Sequence, residues 1–226
     1  MKTNWKAETP SLVVLALMWG LVAWAWGRVP DHMPVHFGAS GAADRIGGRG
    51  EGLLLTPSVT SFFYVLLLAW PHLDPRKERF AQFVRPYRLV RLAVLAFFLV
   101  LQATTVAIAL GSKVNIDGVT SAAAGIAIAL LGNYLPKIQP NWIIGVRTPW
   151  TLSSDLSWQR THRLAGPMLV ASGILTLITA LVRPGASTYV MLTSLLLTGL
   201  VSAVYSYLVW RRDPARGSDR PQKLMS

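Results

Sequence analysis

Six long apolar runs constrain the fold of this chain more than any other feature of its sequence. They occupy residues 10–27, 53–70, 89–110, 118–135, 164–182 and 188–210. A bilayer has a hydrocarbon core about 30 Å thick, and an α-helix rises about 1.5 Å per residue, so each run is long enough to cross it. The sequence therefore predicts an all-α, polytopic membrane protein with six transmembrane helices.

The composition excludes several classes of protein. Charged residues make up only 14% of the chain, against roughly 25% in soluble domains. The net charge is +12, but the basic residues lie in loops between the apolar runs and do not form the basic face of a nucleic-acid-binding domain. Cysteine is absent, which excludes disulfide bonds, thiolate nucleophiles and cysteine metal ligands. We expect no direct contact with nucleic acid.

The distribution of Lys and Arg predicts the orientation in the membrane. Of the 22 basic residues, seventeen lie in the N-terminal segment, the second and fourth loops and the C-terminal tail, and five lie in the other loops. Because basic loops stay in the cytoplasm, both termini are predicted to be cytoplasmic. The basic clusters beside the helix ends are expected to contact anionic lipids. The polar tail, residues 213–226, is predicted to be disordered.

The interior of the spans is predicted to be almost free of charge. No ionisable residue lies deeper than the first turn of a predicted span, and Arg91 comes nearest. Because an intramembrane charge usually marks an ion or proton path, this pattern argues against a proton-coupled pump. The fourth run is rich in Ala and Gly, which predicts a helix packed tightly against its neighbours.

The loop between the fourth and fifth runs, residues 132–166, is unlike the runs beside it. It reads GNYLPK, then NWIIGVRTPWTL, then W-x-x-THRLAG, and its three tryptophans indicate a folded unit at the membrane surface. Asn133 is expected to bind carbonyl groups where the fourth helix ends, and Pro136 stops that helix. The Arg147 guanidinium is expected to stack on Trp150 or to bind a phosphate or carboxylate.

The second part of this loop contains a predicted helix start. Residues 153–155 have the composition of an N-cap region, from which a short amphipathic helix would carry Trp158, Thr161 and His162 on one side. Serine, aspartate and histidine are also the residue types of a hydrolase triad. The chain has no G-x-S-x-G motif here, and local capping explains the three residues, so we expect no enzymatic activity.

The loop between the first two runs, residues 29–52, is rich in Gly and Pro and is expected to be either a folded, turn-rich loop or a flexible one, with little helix. His36 and Asp44 are its candidates for chemistry, and His32 is a third candidate. A catalytic zinc site needs about three protein ligands, and the spacing does not require His32 to join the other two. We therefore expect structural roles for His36 and Asp44, with a metal or ligand contact as the alternative, and we predict no cofactor.

Motifs in both loops resemble the SdpI family of bacterial membrane proteins. The first loop contains P-x-H-F-G-x-x-G-x-x-D, which is similar to a domain of unknown function that often precedes the SdpI signature, and the three strings of the later loop resemble that signature. Together they cover roughly residues 30–210. The family positions are Asn133, Pro136, Asn141, Gly145, Arg147, Thr148, Pro149, Trp150, Trp158, Thr161 and His162 in the inner loop, and Pro34, His36, Phe37, Gly41 and Asp44 in the outer loop.

The resemblance implies an immunity and signalling protein of the bacterial cell membrane. Such a protein would give resistance to a secreted toxic peptide and would capture a cytoplasmic repressor on its inner face once the peptide is bound. The alternative is a small-molecule or peptide transporter, which clusters of polar residues inside the membrane would favour. No cofactor is implied.

The chain also divides into two halves of similar outline. Residues 1–111 and 112–212 each contain one span, a long loop and two further spans. Three spans per half would invert the second half in the membrane, which makes a 3+3 inverted repeat compatible with the sequence.

Overall fold

The structure is a computed structural model that describes residues 4–38, 41–74 and 76–217. Within this part of the chain, six helices are long and apolar enough to cross a membrane. They are α1 (Trp5–Ala25), α2 (Arg49–Leu73), α3 (Val84–Ala109), α4 (Ile116–Tyr134), α6 (Asp155–Val182) and α7 (Pro184–Arg211), and α5 (Pro149–Ser153) is a short helix before α6. The prediction of an all-α, six-span membrane protein is confirmed. Short 3-10 turns occur at Lys77–Gln82, Leu135–Lys137 and Pro214–Gly217.

A β-hairpin in the first long loop is an element that the sequence did not predict. Strands β1 (His32–Phe37) and β2 (Ala43–Gly48) pair antiparallel, with an irregular register around His36. Met33 is fully buried and belongs to an apolar cluster with Val22, Leu53 and Val106 from the first three spans. This anchor fixes the hairpin to one end of the helical bundle, which we call the hairpin end.

Helices α4 and α6 approach so closely that their backbones touch. A Cβ on Gly125 would lie 2.7 Å from the carbonyl oxygen of Gly173, and a Cβ on Gly173 would overlap Gly125 in turn. Small residues permit this distance, as the composition of the fourth run predicted. The α4–α6 pair therefore forms the closest-packed part of the bundle.

A buried ion pair contradicts the prediction that the spans hold no deep charge. Arg91 lies about two turns inside α3 and is buried, and its guanidinium donates to the Glu8 carboxylate of α1. The other Glu8 oxygen lies 3.2 Å from Arg88 Nε. The Tyr64 hydroxyl of α2 donates to Glu8 over 3.2 Å. The cluster joins the first three spans, and its partners are distant in sequence, which is why the pattern of runs concealed it.

The organisation into two halves stays a prediction. The long loop of the first half folds as a hairpin, whereas that of the second half folds as a 3-10 turn, an extended stretch and α5. Of the tail predicted to be disordered, the first residues include the 3-10 turn Pro214–Gly217, and residues 218–226 lie outside the described part.

Candidate functional site

The loop between α4 and α6 folds into a compact unit at the end of the bundle opposite the hairpin. We call this unit the loop cap and define it as residues 135–163 together with residue 74 and residues 76–83. Its apolar core contains Phe80 and Phe83 from one segment and Leu135, Ile138 and Trp158 from the other, all of them buried. The prediction of a folded unit here rested on the tryptophans, and the core explains it: the second and fourth loops bury apolar surface against each other.

Asn141 organises the turn at the centre of the loop cap. Its side chain is completely buried and uses all of its main hydrogen-bonding directions. Nδ2 donates to the carbonyl oxygens of Gln139, at 2.9 Å, and Ile144, at 3.0 Å. Oδ1 accepts the backbone N–H groups of Ile143, at 2.7 Å, and Ile144, at 2.8 Å. An amide is the side chain that can donate and accept in this way, so the family position at Asn141 has a structural role.

Polar contacts also join the two segments of the cap. The buried Asp74 carboxylate accepts the backbone N–H of Trp142 at 2.9 Å. Arg76 donates to the carbonyl oxygen of Leu152 at 2.8 Å. The partners lie about seventy positions apart in sequence, and their contacts hold the connection between α2 and α3 against the loop between α4 and α6.

The aromatic pair Trp158 and His162 supports the cap from α6. The two rings stack, with centroids 4.1 Å apart and an interplanar angle of 17°. Trp158 Nε1 donates to the Ile138 carbonyl oxygen at 2.8 Å. His162 Nδ1 lies 2.8 Å from the Trp158 carbonyl oxygen, and Nε2 accepts the Val146 N–H at 3.1 Å. Because Nε2 accepts and Nδ1 faces a carbonyl oxygen, His162 is a neutral imidazole with its proton on Nδ1.

Gly145 lies directly above this aromatic pair. Its φ of +127° is one that side chains rarely adopt, and an added Cβ would overlap His162 Nε2. Only glycine therefore lets the loop backbone approach the imidazole this closely. This requirement is a tertiary one, and the sequence predicted only that Gly145 is a family position.

Within the described chain, the R-T-P-W string does not form the predicted stack of Arg147 on Trp150, and the alternative, binding of a phosphate or carboxylate by Arg147, stays a prediction. Arg147 is exposed and donates to the Trp142 carbonyl oxygen at 2.6 Å, instead of stacking on Trp150. Trp150 packs edge-on against Tyr207 of α7, with centroids 5.2 Å apart. Thr148 caps α5 in a reciprocal pair with Thr151, and Pro149 is the first residue of that helix. The string thus begins α5 and attaches it to α7.

Two other predictions for this loop need correction. Asn133 is exposed on the side of α4 and, within the described chain, makes no hydrogen bond to the helix-end carbonyls. The helix that begins near residue 154 is not a separate short one, because it is the first part of α6. Ser154 does cap this helix, as expected, and accepts the Ser157 N–H at 3.0 Å. Thr161 lies on the same face as Trp158 and is completely buried.

The serine, aspartate and histidine residues considered for a hydrolase triad each bond to other partners and not to one another. The Ser153 hydroxyl donates to the Pro149 carbonyl oxygen at 2.8 Å, and Ser154 donates to Asp213. Asp155 pairs with Arg79 at 3.0 Å, and both nitrogens of His162 face backbone groups. These contacts do not connect the residues into a proton relay.

The outer-loop family positions lie on the hairpin. His36 Nδ1 and Asp44 Oδ1 are 2.6 Å apart across the two strands, and both side chains are more than half exposed. Pro34 pairs with Ile46 and Phe37 with Ala43 in the strand register. Gly41 has a φ of +76°, and a Cβ added to it would lie 3.3 Å from Asp117 Cβ at the start of α4. Among the described residues, no group of three His, Asp or Glu side chains has the spacing of a metal site.

A cavity of about 470 Å³ opens between the hairpin and the helix ends below it. Its polar lining comprises His36, Glu51, Thr56, Thr105, Asp117, Thr120 and Thr188, and its apolar lining comprises Val35, Phe37, Leu55, Leu101 and Ile116. Asp117 and Glu51 are the site residues that the sequence did not single out. Each occupies the first turn of a helix, where an acidic residue is expected for structural reasons, so no sequence signal separated them from ordinary helix starts.

Comparisons with known proteins match segments of the chain that include parts of both loops. Residues 137–206 match the SdpI/YfhL protein family, and residues 13–61 match a domain of unknown function, DUF1648. The chain is 23% identical to the immunity protein SdpI of Bacillus subtilis over 207 residues, which cover 92% of this chain and 97% of that protein. It is 38% identical to an uncharacterized protein of Archaeoglobus fulgidus over 58 residues, or 26% of this chain and 31% of that protein. No solved structure matches the chain. The resemblance to the SdpI family is confirmed.

Proposed function

We propose that this multi-pass membrane protein, with its SdpI/YfhL region at residues 137–206, is an immunity protein that gives resistance to a secreted toxic peptide. The observation that carries the proposal is its similarity to an immunity protein along 92% of the chain. That similarity spans both the hairpin and the loop cap. The similarity of this membrane protein to the immunity-protein family holds whether or not a toxin is identified.

The two ends of the bundle suit two different partners. The cavity at the hairpin end is on the side that the charge distribution predicts to face outward, where a secreted peptide would arrive. The loop cap would face the cytoplasm and exposes Trp142, Arg147, Arg160 and Arg163. A cytoplasmic repressor with an acidic surface would bind there by charge complementarity. Helices α4 and α6 connect the two ends directly.

Transport is the second candidate function, because the prediction that argued against it was wrong. The Glu8–Arg91 pair is a charge cluster inside the helical bundle, and such clusters mark ion paths in many transporters. Here, however, both Glu8 oxygens are taken by guanidinium groups of α3. A carboxylate held by two guanidinium groups is suited to attaching α1 to α3. It is less suited to taking up and releasing protons during transport.

Survival of a toxin-sensitive bacterium is the test of immunity. Cells expressing the intact chain are challenged with a killing peptide of the matching type, and a reporter controlled by the candidate repressor is measured in parallel. The Trp142→Ala/Arg147→Ala variant removes two exposed groups of the cap, and Gln159→Ala, also exposed on the same end, is the control.

The two readouts separate the two parts of the proposal. We expect survival with the intact chain, the control and the cap variant, and loss of the reporter response with the cap variant alone. Death of cells that carry normal amounts of intact protein in the membrane would contradict immunity. Uptake of a solute into vesicles that contain the intact protein, together with such death, would favour transport.

A further inference from the structure

We propose that the hairpin-end cavity binds a primary ammonium group carried by an apolar peptide, such as a lysine side chain or an N-terminus. The ammonium would bind at Asp117, and the neighbouring apolar atoms would lie against the cavity walls. The inference specifies which part of a peptide the proposed immunity protein would recognise, but the binding itself can be measured without a toxin.

Asp117 is the group at which the ammonium would bind. Its side chain is buried, and its Oδ1 accepts hydrogen bonds from the hydroxyl groups of Thr188 at 2.7 Å and Ser121 at 3.3 Å. The Ser187 hydroxyl lies 3.4 Å from Oδ2 but donates over 2.5 Å to the Pro184 carbonyl oxygen. A carboxylate has about four lone-pair sites, so Oδ2 keeps capacity for a further donor. Asp117 also lines the cavity. The hydroxyl groups hold the carboxylate in place and do not neutralise it.

A comparison within the molecule indicates what is missing at this position. Glu8, the buried carboxylate of α1, is matched by two guanidinium groups. In the described part of the chain, Asp117 has no Lys, Arg or His within ion-pair distance. Burial of a carboxylate is costly without a cation, and the start of α4 compensates only part of its charge. A cationic guest would supply the remainder.

The rest of the cavity lining also suits a cationic, apolar ligand. Glu51 also lines it and is neutralised from outside by Arg45, at 2.6 Å, while the lining itself contains no Lys or Arg. Leu55, Leu101 and Ile116 supply apolar walls. A volume of about 470 Å³ lies within the usual range for small-ligand sites, roughly 300–1,000 Å³. The carboxylates and the apolar walls of the cavity fit an alkylammonium chain. They would repel an anionic ligand.

The test uses dansylcadaverine, an alkylamine with a fluorescent apolar group, and its N-acetylated neutral form. The full-length protein is reconstituted in nanodiscs of uncharged phosphatidylcholine, and each probe is titrated with empty nanodiscs as the blank. The variant is Asp117→Asn, in which the amide oxygen can still accept from the Thr188 and Ser121 hydroxyl groups. The control is Asp155→Asn, which removes an exposed carboxylate at the other end of the bundle.

We expect saturable binding of the amine to the intact protein and to Asp155→Asn, binding at least tenfold weaker to Asp117→Asn, and no saturable binding of the acetylated probe. Equal affinity of both probes for the intact protein would overturn the proposal, and so would the absence of saturable amine binding. That comparison needs no variant, so it tests the requirement for an ammonium group even if Asp117→Asn fails to fold. Undiminished amine binding to folded Asp117→Asn would overturn the assignment to Asp117.

The result is separable from the test of immunity. Amine binding to a protein that does not protect cells would leave the cavity assignment standing and remove the immunity proposal. Protection of cells by a protein that binds neither probe would support the immunity proposal and overturn the cavity assignment.

Discussion

The Nε2 atom of His162 accepts a hydrogen bond from the backbone N–H of Val146 at 3.1 Å, across sixteen residues of sequence. This bond closes the cap loop onto α6, and the ring is held from below by its stack on Trp158. Both residues that donate to or face the imidazole nitrogens do so through their backbones. The family motif in this loop therefore encodes a folded support for the exposed residues beside it, rather than a set of free reactive groups.

Gly145→Ala should destabilise the protein. The added Cβ would overlap His162 Nε2, and the φ of +127° would become strained, so we expect the free energy of unfolding to fall by about 1–3 kcal/mol. The measurement is the thermal unfolding midpoint of the purified protein in nanodiscs. Gly199→Ala is the control, because a Cβ at Gly199 meets nothing within 4 Å. Similar midpoints for both variants would contradict the described approach of loop and imidazole.

Asn141→Asp should loosen the loop cap without changing its size. The carboxylate cannot donate, so the carbonyl oxygens of Gln139 and Ile144 would lose their partner and would face a negative charge. An unsatisfied buried polar group costs about 1–3 kcal/mol. Faster cleavage by trypsin at Lys137 or Arg147, both exposed, is the expected readout.

The control for this change is Gln139→Ala, which keeps the backbone carbonyl that Asn141 binds and removes only the neighbouring side chain. Its cleavage rate should equal that of the intact protein. If Asn141→Asp is cleaved no faster than this control, the four hydrogen bonds of the amide do not hold the loop.

Much of the fold could be predicted because a bilayer forces each apolar run to satisfy its backbone internally as a helix. The helix starts were harder to predict. α1 begins at Trp5, capped by Asn4, and continues through Pro10, so Glu8 belongs to the span although it precedes the apolar run. The start of α6 at Asp155 was predicted from its capping residues, but hydropathy did not indicate that this helix continues into the fifth span, because its polar first turns are buried in the cap.

The site was less predictable than the fold, because its residues act through distant partners. The composition of the cap loop indicated a folded unit, but the contact between Asp74 and Trp142 joins two loops. The hairpin was concealed by its glycines and prolines, and its anchor, Met33, has no distinguishing sequence context. Asp117 lines the cavity only because the hairpin and α7 approach it in space.

Glu8→Gln should destabilise the bundle strongly. The change leaves the buried Arg91 guanidinium without its counter-charge, and breaking a buried pair in this way costs about 3–5 kcal/mol. Thermal unfolding in nanodiscs is again the measurement. Glu78→Gln, at an exposed position of the 3-10 turn, should have no effect.

The double variant Glu8→Gln/Arg91→Met distinguishes loss of the ion pair from a local structural effect of the change at Glu8. Because no charge remains unpaired at Arg91, its stability should exceed that of Glu8→Gln alone, and the coupling between the two positions should be large. Additive losses would mean that the two residues act independently, and the described ion pair would then be incorrect.

The predicted orientation can be tested directly, because the chain contains no cysteine that would have to be removed first. Ser112→Cys places a thiol in the exposed connection between α3 and α4, at the hairpin end, and Ser153→Cys places one in the exposed end of α5, at the loop cap. Because basic loops stay in the cytoplasm, a membrane-impermeant maleimide should label Ser112→Cys in intact bacteria. Ser153→Cys should react only after the membrane is permeabilised, and each variant serves as the control for the other. The reverse pattern would place the cavity in the cytoplasm, where a secreted peptide does not arrive, and the proposed assignment of toxin and repressor to the two ends would then be wrong.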